Sequence, residues 1–151
     1  MNGNNLAAFR ITRRLVAVVV FINGRLDYAE ERHLSSTPQK AEDSAIGFVR
    51  WILATFAITS ANLEEVAEEN RRAQLSRSVV VVLKPEAVAV WGVSKKELFE
   101  AFGIPPVTTR KELRAIAASF WPVLFTRNGE GATLDAAALG IYIETQRLFP
   151  H

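Results

Sequence analysis

The chain has 151 residues, 49% hydrophobic and 23% charged, with no cysteine and a formal charge of +2 at pH 7. Disulfides, thiol nucleophiles and cysteine-ligated zinc are excluded, and His33 and His151 are too few for a His-rich metal site or a serine-type triad. No apolar run reaches the ~20 residues of a membrane span and the first residues lack a signal-peptide layout, so we expect one cytoplasmic domain over residues 1–151 and no membrane partner.

A short apolar run, Leu6 to Phe9, reads as a first strand ahead of Arg10, Arg13 and Arg14. Leu15 to Leu34 then reads as a hairpin. Asn23-Gly24 suits the two φ > 0 positions of a type I′ turn, and β-branched residues fill the strand before it, which predicts burial on both faces. The strand after it alternates, with Leu26, Tyr28, Glu30, Arg32 and Leu34 to one side and Asp27, Ala29, Glu31 and His33 to the other.

Thr37-Pro38 marks an N-cap and first helical residue, and Ala41, Ala45, Phe48, Val49, Ile52, Leu53 and Phe56 form the apolar stripe of a helix. Residues 57–64 read as a short strand. Residues 65–83 read as a helix, against the pull of Val79–Val82 toward strand, and Pro85 ends it before a strand over 87–93. Ser94-Lys95-Lys96-Glu97 and Thr109-Arg110-Lys111-Glu112 are capping boxes that open two helices. After a loop through Asn128–Gly131, Thr133 is expected to cap a last helix from Leu134 to about Leu148. The order predicts an α/β fold with a mixed sheet flanked by helices.

That order resembles the RNase H-like superfamily, and within it the RuvC-type Holliday junction resolvases. Residues 6–34 resemble the three antiparallel strands opening that fold, Leu63-Glu64 the end of its fourth strand, and the Leu134-Asp135-Ala136 opening its final helix. The resemblance implies Mg²⁺-dependent phosphodiester cleavage, with Glu64 and Asp135 as catalytic and metal-binding acids and a pair of ions ~3.5–4 Å apart. It also implies an acid on the first strand, and there the chain departs, reading Leu6-Ala7-Ala8-Phe9-Arg10. Arg10 would oppose divalent-cation binding. The expectation is therefore a catalytically incomplete RuvC-type domain.

DNA or RNA is the candidate partner, through Arg10, Arg13, Arg14, Arg71, Arg72, Lys95, Lys96, Arg110 and Lys111, with Arg77 and Arg114 in the same groups. On residue pattern alone, Asp135 is also an ordinary first-turn acid favoured by the helix dipole, and Glu64 the start of a solvated acidic face. Two alternatives stay open: an active Mg²⁺ endonuclease whose missing acid comes from Asp27 or a partner chain, and a non-enzymatic interaction domain or homodimer. Trp51, Trp91 and Trp121 lie within apolar elements and are expected in core or interface.

Overall fold

The computed structural model describes residues 4–65, 71–83, 89–102, 107–122 and 131–148, with backbone alone at 71–73 and 144–148. Five strands, β1 (Asn5–Ile11), β2 (Leu15–Ile22), β3 (Arg25–His33), β4 (Ser60–Glu64) and β5 (Ala89–Val93), form one sheet in the order β3-β2-β1-β4-β5. The first three pair antiparallel, while β1, β4 and β5 run parallel. The helices are α1 (Pro38–Phe56), α2 (Arg71–Leu83), α3 (Lys95–Ala101), α4 (Arg110–Phe120) and α5 (Ala132–Leu148).

The hairpin forms as its turn chemistry dictates. Asn23 and Gly24 take φ of 51° and 80°, and β2 is buried from Leu15 through Phe21 because helices cover both of its faces. On one face Ala7, Phe9, Val16, Val18, Val20, Ala61 and Leu63 pack against α1 and α2. On the other, Leu6, Ala8, Val19 and Phe21 pack against α3, α4 and α5.

The even alternation expected of β3 is broken. Val20 pairs with Tyr28 but Phe21 pairs with Leu26, so Asp27 is the extra residue of a bulge. Tyr28 therefore packs with the α1–α2 layer while Leu26 packs with the α3–α5 layer, and the two do not share a face as alternation predicts.

Tertiary packing resolves the element over Val79–Val82 as helix, with Leu75, Val79 and Leu83 buried against β1 and α1. Ala57 ends α1 in the left-handed region at φ 48°. Both capping boxes form: Ser94 Oγ accepts from the Glu97 N–H at 3.0 Å and Thr109 Oγ1 from the Glu112 N–H at 3.2 Å. Thr37 caps α1 by backbone geometry, without a side-chain bond.

The last helix starts earlier than Thr133 implies. Gly131, at φ 81°, precedes Ala132, and its carbonyl accepts from Leu134 and Asp135. The Ala132 N–H is capped from another element, by Glu31 Oε1 of β3 at 3.2 Å, so Thr133 is a buried first-turn residue. Pro85, Gly103 and residues 123–130 lie outside the described residues.

Of the tryptophans expected in core or interface, Trp51 and Trp91 are 44% and 40% exposed and so lie outside the core. Trp51 edges onto Tyr28 and Phe56 in a partly exposed aromatic group, because the outer side of α1 meets the edge strand β3 there. Trp121 is the half-buried one, its ring tilted against that of Phe21 with centroids 5.1 Å apart.

Candidate functional site

Parallel pairing of Phe9 with Leu63 brings the next residues of β1 and β4, Arg10 and Glu64, side by side on the α5 face. The depth at which α5 docks brings Asp135 to the same point. Gly140 of α5 lies directly on Phe21, whose ring carbon would stand 2.2 Å from an added Cβ, and Asn62 Nδ2 of β4 donates to the Leu139 carbonyl at 2.8 Å. A small residue and a buried amide thus draw the helix against the sheet. Asp135, one turn from its start, faces the ends of β1 and β4.

Glu64 and Asp135 converge, as the resemblance implied, but arginines stand between and around them. Arg10 Nη1 donates to Glu64 Oε2 at 3.1 Å, and Arg10 Nε lies 3.5 Å from Asp135 Oδ2. From α4, Arg110 Nη2 donates to the same Glu64 oxygen at 2.5 Å, with Nη1 3.7 Å from Asp135 Oδ1. One turn further along, Arg114 holds Asp135 in a two-pronged grip, Nε to Oδ1 at 3.0 Å and Nη2 to Oδ2 at 2.8 Å. The i, i+4 spacing of Arg110 and Arg114 places both on one face of α4. Arg114 also lies over Gly131, where a Cβ would meet its side chain at 3.0 Å.

Arg10, Glu64 and Asp135 are 8%, 5% and 1% exposed. Burial pulls the Arg10 guanidinium below its ordinary pKa; Glu64 raises it, Arg110 lowers it and Asp135 raises it. An arginine nevertheless remains a cation in a folded protein. Among the described residues, three guanidinium groups thus face two carboxylates.

A divalent pair does not fit these residues. Mg²⁺ binds through free carboxylate oxygens and retained waters, and here both carboxylates are engaged by arginines, two of which reach both acids. Among the described residues no group of three or more His, Asp or Glu side chains could hold a metal ion.

Asp27 does not make up the missing acid. It is exposed, and it lies on β3 near the level of Phe21, roughly 13 Å along the strands from Arg10 and two strands away. The β3 residue level with Arg10 is Glu31, through Ala17, and Glu31 caps α5.

The remaining basic candidates divide. Arg10 and Arg110 turn inward onto carboxylates. Arg13 and Arg14 are exposed just beyond the carboxyl end of β1; Lys95 and Lys96 are exposed just beyond that of β5; Lys111 is exposed beside Arg110. These strands run parallel, so all five ring the sheet end that holds Glu64. Lys95 and Arg110 approach the same ring, Phe99, at 5.3 and 5.6 Å. Arg71 and Arg72 open α2, and their side chains lie outside the described residues. Arg114 is the site residue that the sequence reading grouped but did not single out; its four-residue spacing from Arg110 was the available signal.

No family model and no curated protein matches the sequence. Solved structures match the fold. The fold is that of the RuvC-type resolvases. RuvC from Thermus thermophilus superposes with a TM-score of 0.78 at 12% identity over 95% of each chain. The yeast mitochondrial Holliday junction resolvase Ydc2 gives 0.67 at 8% identity, over 97% of this chain and 84% of that one. The fowlpox virus Holliday junction resolvase gives 0.63 at 10% identity, over 93% and 99%. The RNase H-like, RuvC-type architecture expected from the element order is thus the architecture observed.

Proposed function

We propose that this chain is a RuvC-fold domain that binds nucleic acid and does not cleave it. The observation that carries the reading is Arg10 seated between Glu64 and Asp135, where it neutralises the acids a phosphodiesterase would need free. The basic ring of Arg13, Arg14, Lys95, Lys96 and Lys111 supports the binding half. Flexible exposed cations around one sheet end suit sequence-independent contact with backbone phosphates. Two of the similar structures, T. thermophilus RuvC and the fowlpox resolvase, are complexes with Holliday junction DNA, which makes a four-way junction the first substrate to try.

The test is fluorescence anisotropy on labelled four-way junction, duplex and single-stranded DNA across a salt series, with gel analysis for cleavage in Mg²⁺ and Mn²⁺. The reading expects binding in the absence of divalent ions and no cleavage. It expects affinity to fall with salt, and the logarithmic slope to shrink by about one per phosphate-contacting cation removed, so by about two in an Arg13→Ala, Arg14→Ala variant. Metal-dependent cleavage abolished by Asp135→Asn would overturn it in favour of an active endonuclease. Absence of binding to every nucleic acid at low salt would leave the protein-interaction reading.

A further inference from the structure

We propose that Arg10 is a tethered counter-ion that keeps this site closed to divalent cations, and that Glu64 and Asp135 form a latent cation site which loss of Arg10 opens. The inference concerns the protein alone and does not depend on nucleic-acid binding.

Two carboxylates this deeply buried require compensating positive charge, because the interior solvates ions poorly and like charges in proximity repel. A bound metal ion can supply that charge, and so can a guanidinium. In this chain the middle position belongs to a side chain of β1. Two guanidinium groups reach both acids, Arg10 from within the sheet and Arg110 from α4, while Arg114 grips Asp135 from α4. The difference in burial makes the two classes unequal. The Arg10 side chain is 10% exposed, against 20% for Arg110 and 33% for Arg114. Arg10 is the most enclosed of the three, and the α4 arginines lie nearer to solvent. Removing Arg10 thus takes one charge from the cluster and withdraws the innermost guanidinium that reaches both acids, leaving Arg110 to reach them from α4. Removing Arg114 takes the same charge from a side chain that, of the two acids, grips Asp135.

The experiment uses Mn²⁺ alone as the probe, with its electron paramagnetic resonance signal reporting free ion and thermal unfolding reporting binding to the folded state. Four proteins are compared: the unaltered chain, Arg10→Asp, Arg10→Gln and Arg114→Gln. The unaltered chain and Arg114→Gln are expected to leave the Mn²⁺ signal and their own melting temperatures unchanged at millimolar Mn²⁺ or in EDTA. Both Arg10 variants are expected to melt lower than the unaltered chain without metal and to be raised by Mn²⁺. Arg10→Asp should bind roughly tenfold or more tighter than Arg10→Gln, since it adds a third carboxylate. If an Arg10 variant does not fold by itself, Mn²⁺ must recover it. Failure of Mn²⁺ to bind or rescue either variant overturns the proposal. So does stoichiometric Mn²⁺ binding by the unaltered chain. Equal Mn²⁺ binding by Arg114→Gln would also overturn it, by showing that net charge and not the position of Arg10 decides.

Discussion

Replacing Gly140 with alanine should destabilise the protein, although the same change in an ordinary helix would help it. Alanine is favoured over glycine inside a helix by about 0.8–1.0 kcal/mol. At Gly140, however, the new methyl would stand 2.2 Å from Cε2 of Phe21 and 2.9 Å from two further ring carbons. The ring cannot retreat freely, since it is 2% exposed and Trp121 packs 5.1 Å from it on another side. Overpacking of this kind costs about 1–3 kcal/mol. Because the ring is confined, the upper end applies, and the helix gain leaves a net loss of about 2 kcal/mol. For a chain of this length that is a fall of roughly 4–8 °C in melting temperature. Urea unfolding of the single variants and of Gly140→Ala with Phe21→Leu measures it as a double-mutant cycle. The smaller leucine should make the pair less destabilised than the sum of the singles by about 1 kcal/mol or more. A Gly140→Ala variant stabilised by the helix term, with additive behaviour in the pair, would refute the close docking of α5 on which the position of Asp135 rests.

Other outcomes follow from the same contacts. Asp135→Ala should cost about 3–5 kcal/mol in urea unfolding, because it leaves Arg10 buried with one acid where it had two; a loss under about 1 kcal/mol would mean the cluster is hydrated and loosely held. Thr109→Ala should cost about 1 kcal/mol and Thr37→Ala clearly less, since only Thr109 makes a side-chain cap; equal losses would contradict this. Tyr142 donates to Glu97 at 3.3 Å, and burial first, then Glu97, raises its pKa above the ordinary 10.0. A raised folded-state value means that its contribution to stability is present below pH 10 and is lost as pH rises through that value. The absorbance titration difference between the unaltered chain and Tyr142→Phe should therefore have its midpoint above pH 10, and a midpoint at or below 10 would contradict the contact.

Much of this architecture is written in local sequence, and the parts that are not share one cause. Asn23-Gly24, the β-branched run before it and the capping boxes at Ser94 and Thr109 act over a few residues, and each appears where local chemistry puts it. The departure at Arg10 was visible too, as a missing acid on the first strand. What Arg10 does instead was not visible, because its partners come from β4 and α5 and only the sheet register and helix docking bring them together. The start of α5 was misplaced for the same reason: its cap is Glu31, delivered through space from an edge strand. Periodicity could not foresee the bulge at Asp27, which moves Leu26 to the opposite layer. The exposure of Trp51 and Trp91 follows from being on the outer side of a helix and on an edge strand, a matter of neighbours and not of the residues' own apolarity.

The arginine-bridged acids also bear on how the chain folds. The opening hairpin pairs residues close in sequence and can form as soon as it is made. Arg10 lies on β1, which pairs with the first strand of that hairpin, but Glu64 lies 54 residues downstream and Asp135 belongs to the last helix. Until α5 docks, Arg10 and Glu64 remain reachable by water, so full desolvation of the pair coincides with completion of the α3–α5 layer. Closure of this cluster is therefore expected late in folding, so that in stopped-flow kinetics substitutions in it should speed unfolding much more than they slow folding.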